Sequence, residues 1–135
     1  MPQRHTVLVV DDNPVNLALM VDLLSPLYEV RATISGARAL HIARVQRVDL
    51  VLLDVMMPIM DGHEVCKRLQ ALPEMAHCPI LFLTAQNQIK DTEYGLALGA
   101  QDYIAKPISP PLVLKRIEDL TRVSVAHDLH SRRRT

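Results

Sequence analysis

The chain predicts an α/β fold, an open doubly wound parallel sheet of five strands built from five strand-helix units, (βα)5. Three observations predict it. Short apolar runs alternate with longer amphipathic stretches up to about residue 122, the order expected of strands joined by crossover helices. Three of the runs are apolar throughout, as strands covered on both faces should be. Most of the longer stretches carry helix start or stop residues.

The runs come in order. Thr6–Val10 (TVLVV), residues 50–53 (LVLL) and residues 80–83 (ILFL) read as central strands. In residues 28–33, Tyr28, Val30 and Ala32 alternate with Glu29, Arg31 and Thr33, which suits a half-exposed edge strand. Asp102–Ala105 (DYIA) is weaker and reads as the other edge.

The helices fall between them. Asn13 followed by Pro14 is a cap ahead of proline at the first helical position, and Leu17, Met20, Val21 and Leu24 then recur at helical spacing until Ser25-Pro26. Residues 36–46 put Leu40 and Ala43 on one face, and Val65, Leu69 and Leu72 mark a helix opening near Gly62. A helix with a thin apolar stripe is expected over residues 87–98, ending at Gly99. Ser109-Pro110 opens the last one, which carries Val113, Ile117 and Leu120. Past Arg122 the period fades toward Arg132-Arg133-Arg134. Residues 1–122 are therefore expected to form one domain, and 123–135 a basic tail or the start of a linker.

Composition narrows the function. Fifteen Lys+Arg balance fifteen Asp+Glu in 135 residues, so nothing in the net charge suggests a chain built to grip nucleic acid. No apolar run approaches the roughly 18–20 residues of a membrane span, and no secretory leader is visible. The cytoplasm is the expected compartment. Cys66 and Cys78 lack zinc-ligand spacing and read as reduced thiols, and the six histidines are scattered over different elements.

The chemistry lies in the residue following each run: Asp11-Asp12, Asp54, Thr84 and Lys106. Parallel strands bring their carboxyl ends to one crevice. Read singly, Asp11-Asp12 are helix-start acids, Asp54 a turn residue, Thr84 an ordinary strand end and Lys106 a solvated lysine. Their convergence is what a helix dipole does not require. Three carboxylates repel one another unless a cation joins them, and Mg²⁺ suits an oxygen site that also receives phosphate. The charge of Lys106 and the hydroxyl of Thr84 suit the oxygens of a transferring phosphoryl group. No serine or histidine stands at a strand end, whereas carboxylates do form aspartyl-phosphates, which makes Asp54 the acceptor. Met56, Met57 and Met60 read as loop packing, since thioethers do not suit Mg²⁺.

With these residues in place, the chain resembles a response-regulator receiver domain (CheY-like) of two-component phosphorelay signalling, over residues 5 to about 122. The resemblance is carried by Val9-Val10-Asp11-Asp12-Asn13, the block from Leu53-Asp54 to Asp61-Gly62, Thr84-Ala85, and the run from Gly99 to Lys106-Pro107. It implies the flavodoxin-like strand order 2-1-3-4-5. It also implies phosphorylation of Asp54 by a phosphohistidine on a sensor histidine kinase or phosphotransfer protein. Asp12, Asp54 and the backbone carbonyl of Met56 would hold Mg²⁺ directly, with Asp11 acting largely through water. Lys106 would pair with Asp54 and then with the phosphoryl group, Thr84 would bond a phosphoryl oxygen, and Tyr103 would rotate inward behind it.

The resemblance thus implies a signalling module that assists its own phosphorylation and dephosphorylation, not an enzyme acting on a separate substrate. The face of the 87–98 helix, the fifth strand and the last helix would change on phosphorylation and control a partner, an attached output domain or a homodimer. The segment from Lys106 to Leu114 is similar to receivers ahead of cyclic-di-GMP-metabolising or HD-type phosphodiesterase domains. Direct nucleic-acid binding is not expected. The alternative is an enzyme of similar topology, FMN-binding or an aspartate-nucleophile phosphatase. The first would need a Ser/Thr/Gly phosphate loop where the chain has Asp-Asp-Asn-Pro. The second would need its nucleophile after the first strand.

Overall fold

The computed structural model describes residues 4–55, 57, 62–76, 78–84, 102–105 and 109–133, without the side chains of 102, 105 and 122–133. Its strands are β1 (Thr6–Val10), β2 (Glu29–Thr33), β3 (Leu50–Asp54), β4 (Ile80–Thr84) and β5 (Asp102–Ala105). The described helices are α1 (Pro14–Leu24), α2 (Gly36–Val45), α3 (Gly62–Gln70) and α4 (Pro110–Arg133), with a 3-10 turn at Pro73–Met75. The helix expected over residues 87–98 lies outside the described residues.

All five strands are parallel, in the order β2-β1-β3-β4-β5. The sheet is doubly wound, and alternate residues of each central strand feed two cores. One holds Leu8, Val10, Val51, Leu53, Ile80 and Phe82 against Ala39, Ala43, Val65, Cys66 and Leu69 of α2 and α3. The other holds Val7, Val9, Leu50, Leu52, Leu81 and Leu83 against Met20 and Leu24 of α1 and Val113 and Ile117 of α4. Burial on both faces explains why these strands read as unbroken apolar runs. Each buried leucine contributes about 1.5–3 kcal/mol relative to exposure.

Local signals set the helix starts. Asn13 is extended (φ −89°, ψ 112°), and its side chain accepts from the N–H groups of Val15 and Asn16, two donors that a helix start leaves without an internal partner. Ser35 does the same for α2 by accepting from Arg38 N–H.

Two sequence expectations are corrected. Tyr28 lies outside β2, and the alternation there breaks at its end, where Ala32 is exposed and Thr33 buried. The reason is hydrogen bonding: the Thr33 carbonyl accepts from Asp11 N–H, and its hydroxyl from Ser35 N–H. Leu72 lies past the end of α3 and packs partly buried on the core from the following turn. At the other end of the chain, α4 continues past Arg122, where the apolar period fades, to Arg133. The buried Thr121 hydroxyl donates to the Ile117 carbonyl, a partner within the helix itself.

Candidate phosphoryl-acceptor site

Strand register builds the site. Val10 lies opposite Leu53, so one step further Asp11 and Asp54 face each other across the ends of β1 and β3. Asp54 in turn lies opposite Leu83, which brings Thr84 beside it. Thr84 pairs with Ala105 on β5, and Lys106 follows Ala105 in the chain. Lys106 and Met56 lie outside the described residues. Of the residues expected at the site, Asp11, Asp12 and Asp54 come together, Thr84 stands at the end of the neighbouring β4, and Tyr103 is half-buried within β5.

Asp11, Asp12 and Asp54 each turn a carboxylate oxygen into one cluster, all within 4.8 Å of one another. Asp11 is 0% exposed and Asp54 4%, and Asp12 is the most open of the three. Oδ1 of Asp11 accepts from Asn13 N–H at 2.9 Å, an Asx turn that fixes the carboxylate plane. Oδ2 is buried with no hydrogen-bond partner among the described residues. A buried carboxylate oxygen in that condition carries a cost of several kcal/mol unless a cation or donor meets it. A set of three carboxylates, hard oxygen donors with one lone oxygen turned inward, fits a hard divalent cation such as Mg²⁺.

Gly62 closes the floor. Its N–H donates to the Val55 carbonyl at 2.8 Å. A Cβ on Gly62 would overlap the Asp54 carbonyl oxygen and lie 2.7 Å from the Val55 Cα. Only glycine permits the start of α3 to seat so close behind the acid at the end of β3. In the sequence Gly62 marks the helix start, and nothing local signals its steric role. In the sequence Asn13 reads as a cap; that its backbone N–H also orients Asp11 is signalled only by the Asp-x-Asn spacing.

Comparison with known proteins agrees with this geometry. The chain matches the response regulator receiver domain family over residues 7–118. It belongs to that family. This receiver domain is 43% identical over 112 residues to a protein of Vibrio cholerae serotype O1 named a probable cyclic di-GMP phosphodiesterase, covering 83% of this chain and 25% of the other. It is 39% identical over 123 residues to the response regulator PleD of Caulobacter vibrioides, covering 90% and 27%. The receiver domain therefore spans about a quarter of the length of these curated relatives. Among solved structures it superposes, with TM-score 0.80 and 30% identity, on the receiver domain of the sensor histidine kinase PA1611 from Pseudomonas aeruginosa PAO1. That match covers 89% of this chain and 98% of the other, which carries a magnesium ion coordinated in its active-site cleft.

The receiver domain family is a family of signalling domains. The enzyme alternative, FMN-binding or phosphatase, finds no support in these matches. Among the described residues, no helix is long and apolar enough to cross a membrane.

Proposed function

We propose that this receiver domain takes a phosphoryl group onto Asp54 from a phosphohistidine of a sensor histidine kinase or phosphotransfer protein, in the cytoplasm. The observation that carries the reading is the cluster of Asp11, Asp12 and Asp54 at the ends of adjacent strands, with Thr84 at the end of the next. The acids and the Met56 backbone carbonyl would hold Mg²⁺. When bound, that ion supplies divalent charge that offsets both the carboxylates and the phosphoryl oxygens.

The chain's own residues do the rest. An Asp54 carboxylate oxygen attacks phosphorus in line, the bond from phosphorus to the donor imidazole nitrogen breaks, and its electron pair leaves on that nitrogen. The Lys106 ammonium neutralises one phosphoryl oxygen, and the Thr84 hydroxyl donates to another. The new group brings about −1.5 to −2 charges beside Lys106 and Thr84. As Thr84 moves to meet it, Tyr103 turns inward behind. The face of the 87–98 segment, β5 and α4 then engages a partner, an attached output domain or a second copy. The same residues return the aspartyl-phosphate to carboxylate when water attacks phosphorus, so the domain needs no separate substrate. Residues 1–122 form the receiver unit in this reading, and 123–135 lead away from it.

The test is intact mass after incubation with acetyl phosphate and, separately, phosphoramidate, each with Mg²⁺. The wild type is expected to gain one phosphoryl group, and Asp54→Asn none. Failure of both donors to give an Asp54-dependent gain overturns the proposal.

A further inference from the structure

We infer that His63 is a positioning residue for Tyr103, acting through Phe82; this rests on the switching role proposed for Tyr103 and deepens it. His63 is the second residue of α3, next to the glycine that packs on the Asp54 and Val55 backbone. Its ring meets Phe82 edge-to-face, with centroids 5.5 Å apart and planes at 78°. Phe82 is fully buried in β4 and stands two residues before Thr84, so both side chains leave the strand on the same face. Across the ladder Phe82 lies opposite Tyr103, and register partners in a parallel sheet share a face. The division of the core agrees, because Phe82 belongs to the layer under α2 and α3 and Tyr103 packs on that layer. Leu83 and Ile104 belong to the other.

A row therefore runs from His63 through Phe82 to Tyr103, with Thr84 one step along from Phe82. In a close-packed interior a half-buried tyrosine turns inward only as far as its neighbours give way. The ring of His63 braces Phe82 on its α3 side and so limits how far Phe82 yields. Without that brace Phe82 tilts toward α3, space opens beside Tyr103, and the inward conformer gains population with no phosphoryl group present. An edge-to-face pair of this kind shifts such an equilibrium by about two- to tenfold.

The experiment is fluorine NMR of the chain labelled with 3-fluorotyrosine, the Tyr103 signal being assigned with Tyr103→Phe. Wild type, His63→Leu, His63→Gln and His63→Phe are compared with and without Mg²⁺ and beryllofluoride. In the wild type, beryllofluoride is expected to move the Tyr103 signal. In His63→Leu and His63→Gln the signal should already lie toward that position before addition, by the two- to tenfold population change. His63→Phe, which keeps a ring to brace Phe82, should restore the wild-type position. Acetyl phosphate labelling of the same proteins separates the two readings. If the wild type is phosphorylated and its Tyr103 responds, but whichever of the Leu and Gln variants folds matches it, the inference falls alone. If the wild type takes no phosphoryl group, or its Tyr103 ignores beryllofluoride, the functional reading falls and takes the inference with it.

Discussion

Replacing Asp11 by asparagine should make the metal-free protein more stable while removing most of its response to Mg²⁺. The carboxylate oxygens of Asp11 and Asp54 lie within 4.8 Å of each other and both residues are buried. Two unit charges at that distance repel by about 3.5 kcal/mol at an effective dielectric constant of about 20. Asp12 is more open, so water screens its share and the Asp11-Asp54 pair dominates. Asparagine keeps the acceptor that Asn13 N–H uses at 2.9 Å. It also puts an amide donor where Asp11 now has a buried oxygen without a partner among the described residues.

Allowing for local relaxation and for the Lys106 charge that the functional reading places beside Asp54, the metal-free variant should gain about 1–3 kcal/mol, or about 3–10 °C in Tm for a domain of this size. The wild type should gain about 1.4 kcal/mol from Mg²⁺ at ten times its Kd, and the variant much less. Thermal melts followed by circular dichroism, in chelator and across a Mg²⁺ titration, measure both. A variant less stable than wild type in chelator, or one that keeps the full Mg²⁺ shift, would refute the reasoning.

Other outcomes follow from single contacts. Gly62→Ala forces a Cβ onto the Asp54 carbonyl and to 2.7 Å from the Val55 Cα; because the obstacles are backbone, urea denaturation should show a loss of about 1–3 kcal/mol, with weakened Mg²⁺ binding. Asn13→Ala removes the acceptor for Val15 and Asn16 N–H and should cost about 1 kcal/mol, whereas Asn13→Ser should recover much of it. Burial pushes the Cys66 thiol up to about 11, so the unfolded chain ionises first as pH rises past about 9. The stability that the neutral thiol contributes is complete below that pH and lost on the way to about 11. The urea midpoint of the wild type should therefore fall toward that of Cys66→Ala over this window, and a constant gap would contradict the assignment. Cys78, raised to about 12 by burial and then by Asp49, should react with thiol reagents near pH 8 at least about tenfold more slowly than a free cysteine, because its smaller thiolate fraction outweighs the greater nucleophilicity of a more basic thiolate.

How much of this could be read from the sequence depends on the range over which each signal acts. The Asn13-Pro14 start of α1 and the Pro110 start of α4 were legible, because caps and proline act within one helical turn. The three central strands were legible because burial on two faces leaves an unbroken apolar run. Asp11, Asp54 and Thr84 could be picked out because parallel strands make every strand end a candidate position. Signals that depend on a partner elsewhere were not legible. Thr33 is buried against the alternation because Asp11 and Ser35 use its oxygens. The brace of His63 on Phe82 joins residues with no pattern between them.

By itself the sequence determined the alternation of strands and helices, the sites where helices start, and which residue types stand at the strand ends. Those properties are written in short-range periodicity and in backbone chemistry that acts over a few residues. The tertiary structure decided that Val10 pairs with Leu53 and Asp54 with Leu83, and hence that three acids meet within 4.8 Å. It also decided that the start of α3 sits so close behind Asp54 that only Gly62 fits. Register, and the seating of a helix on a sheet, are fixed by packing two cores at once, and no local stretch of the chain contains both partners.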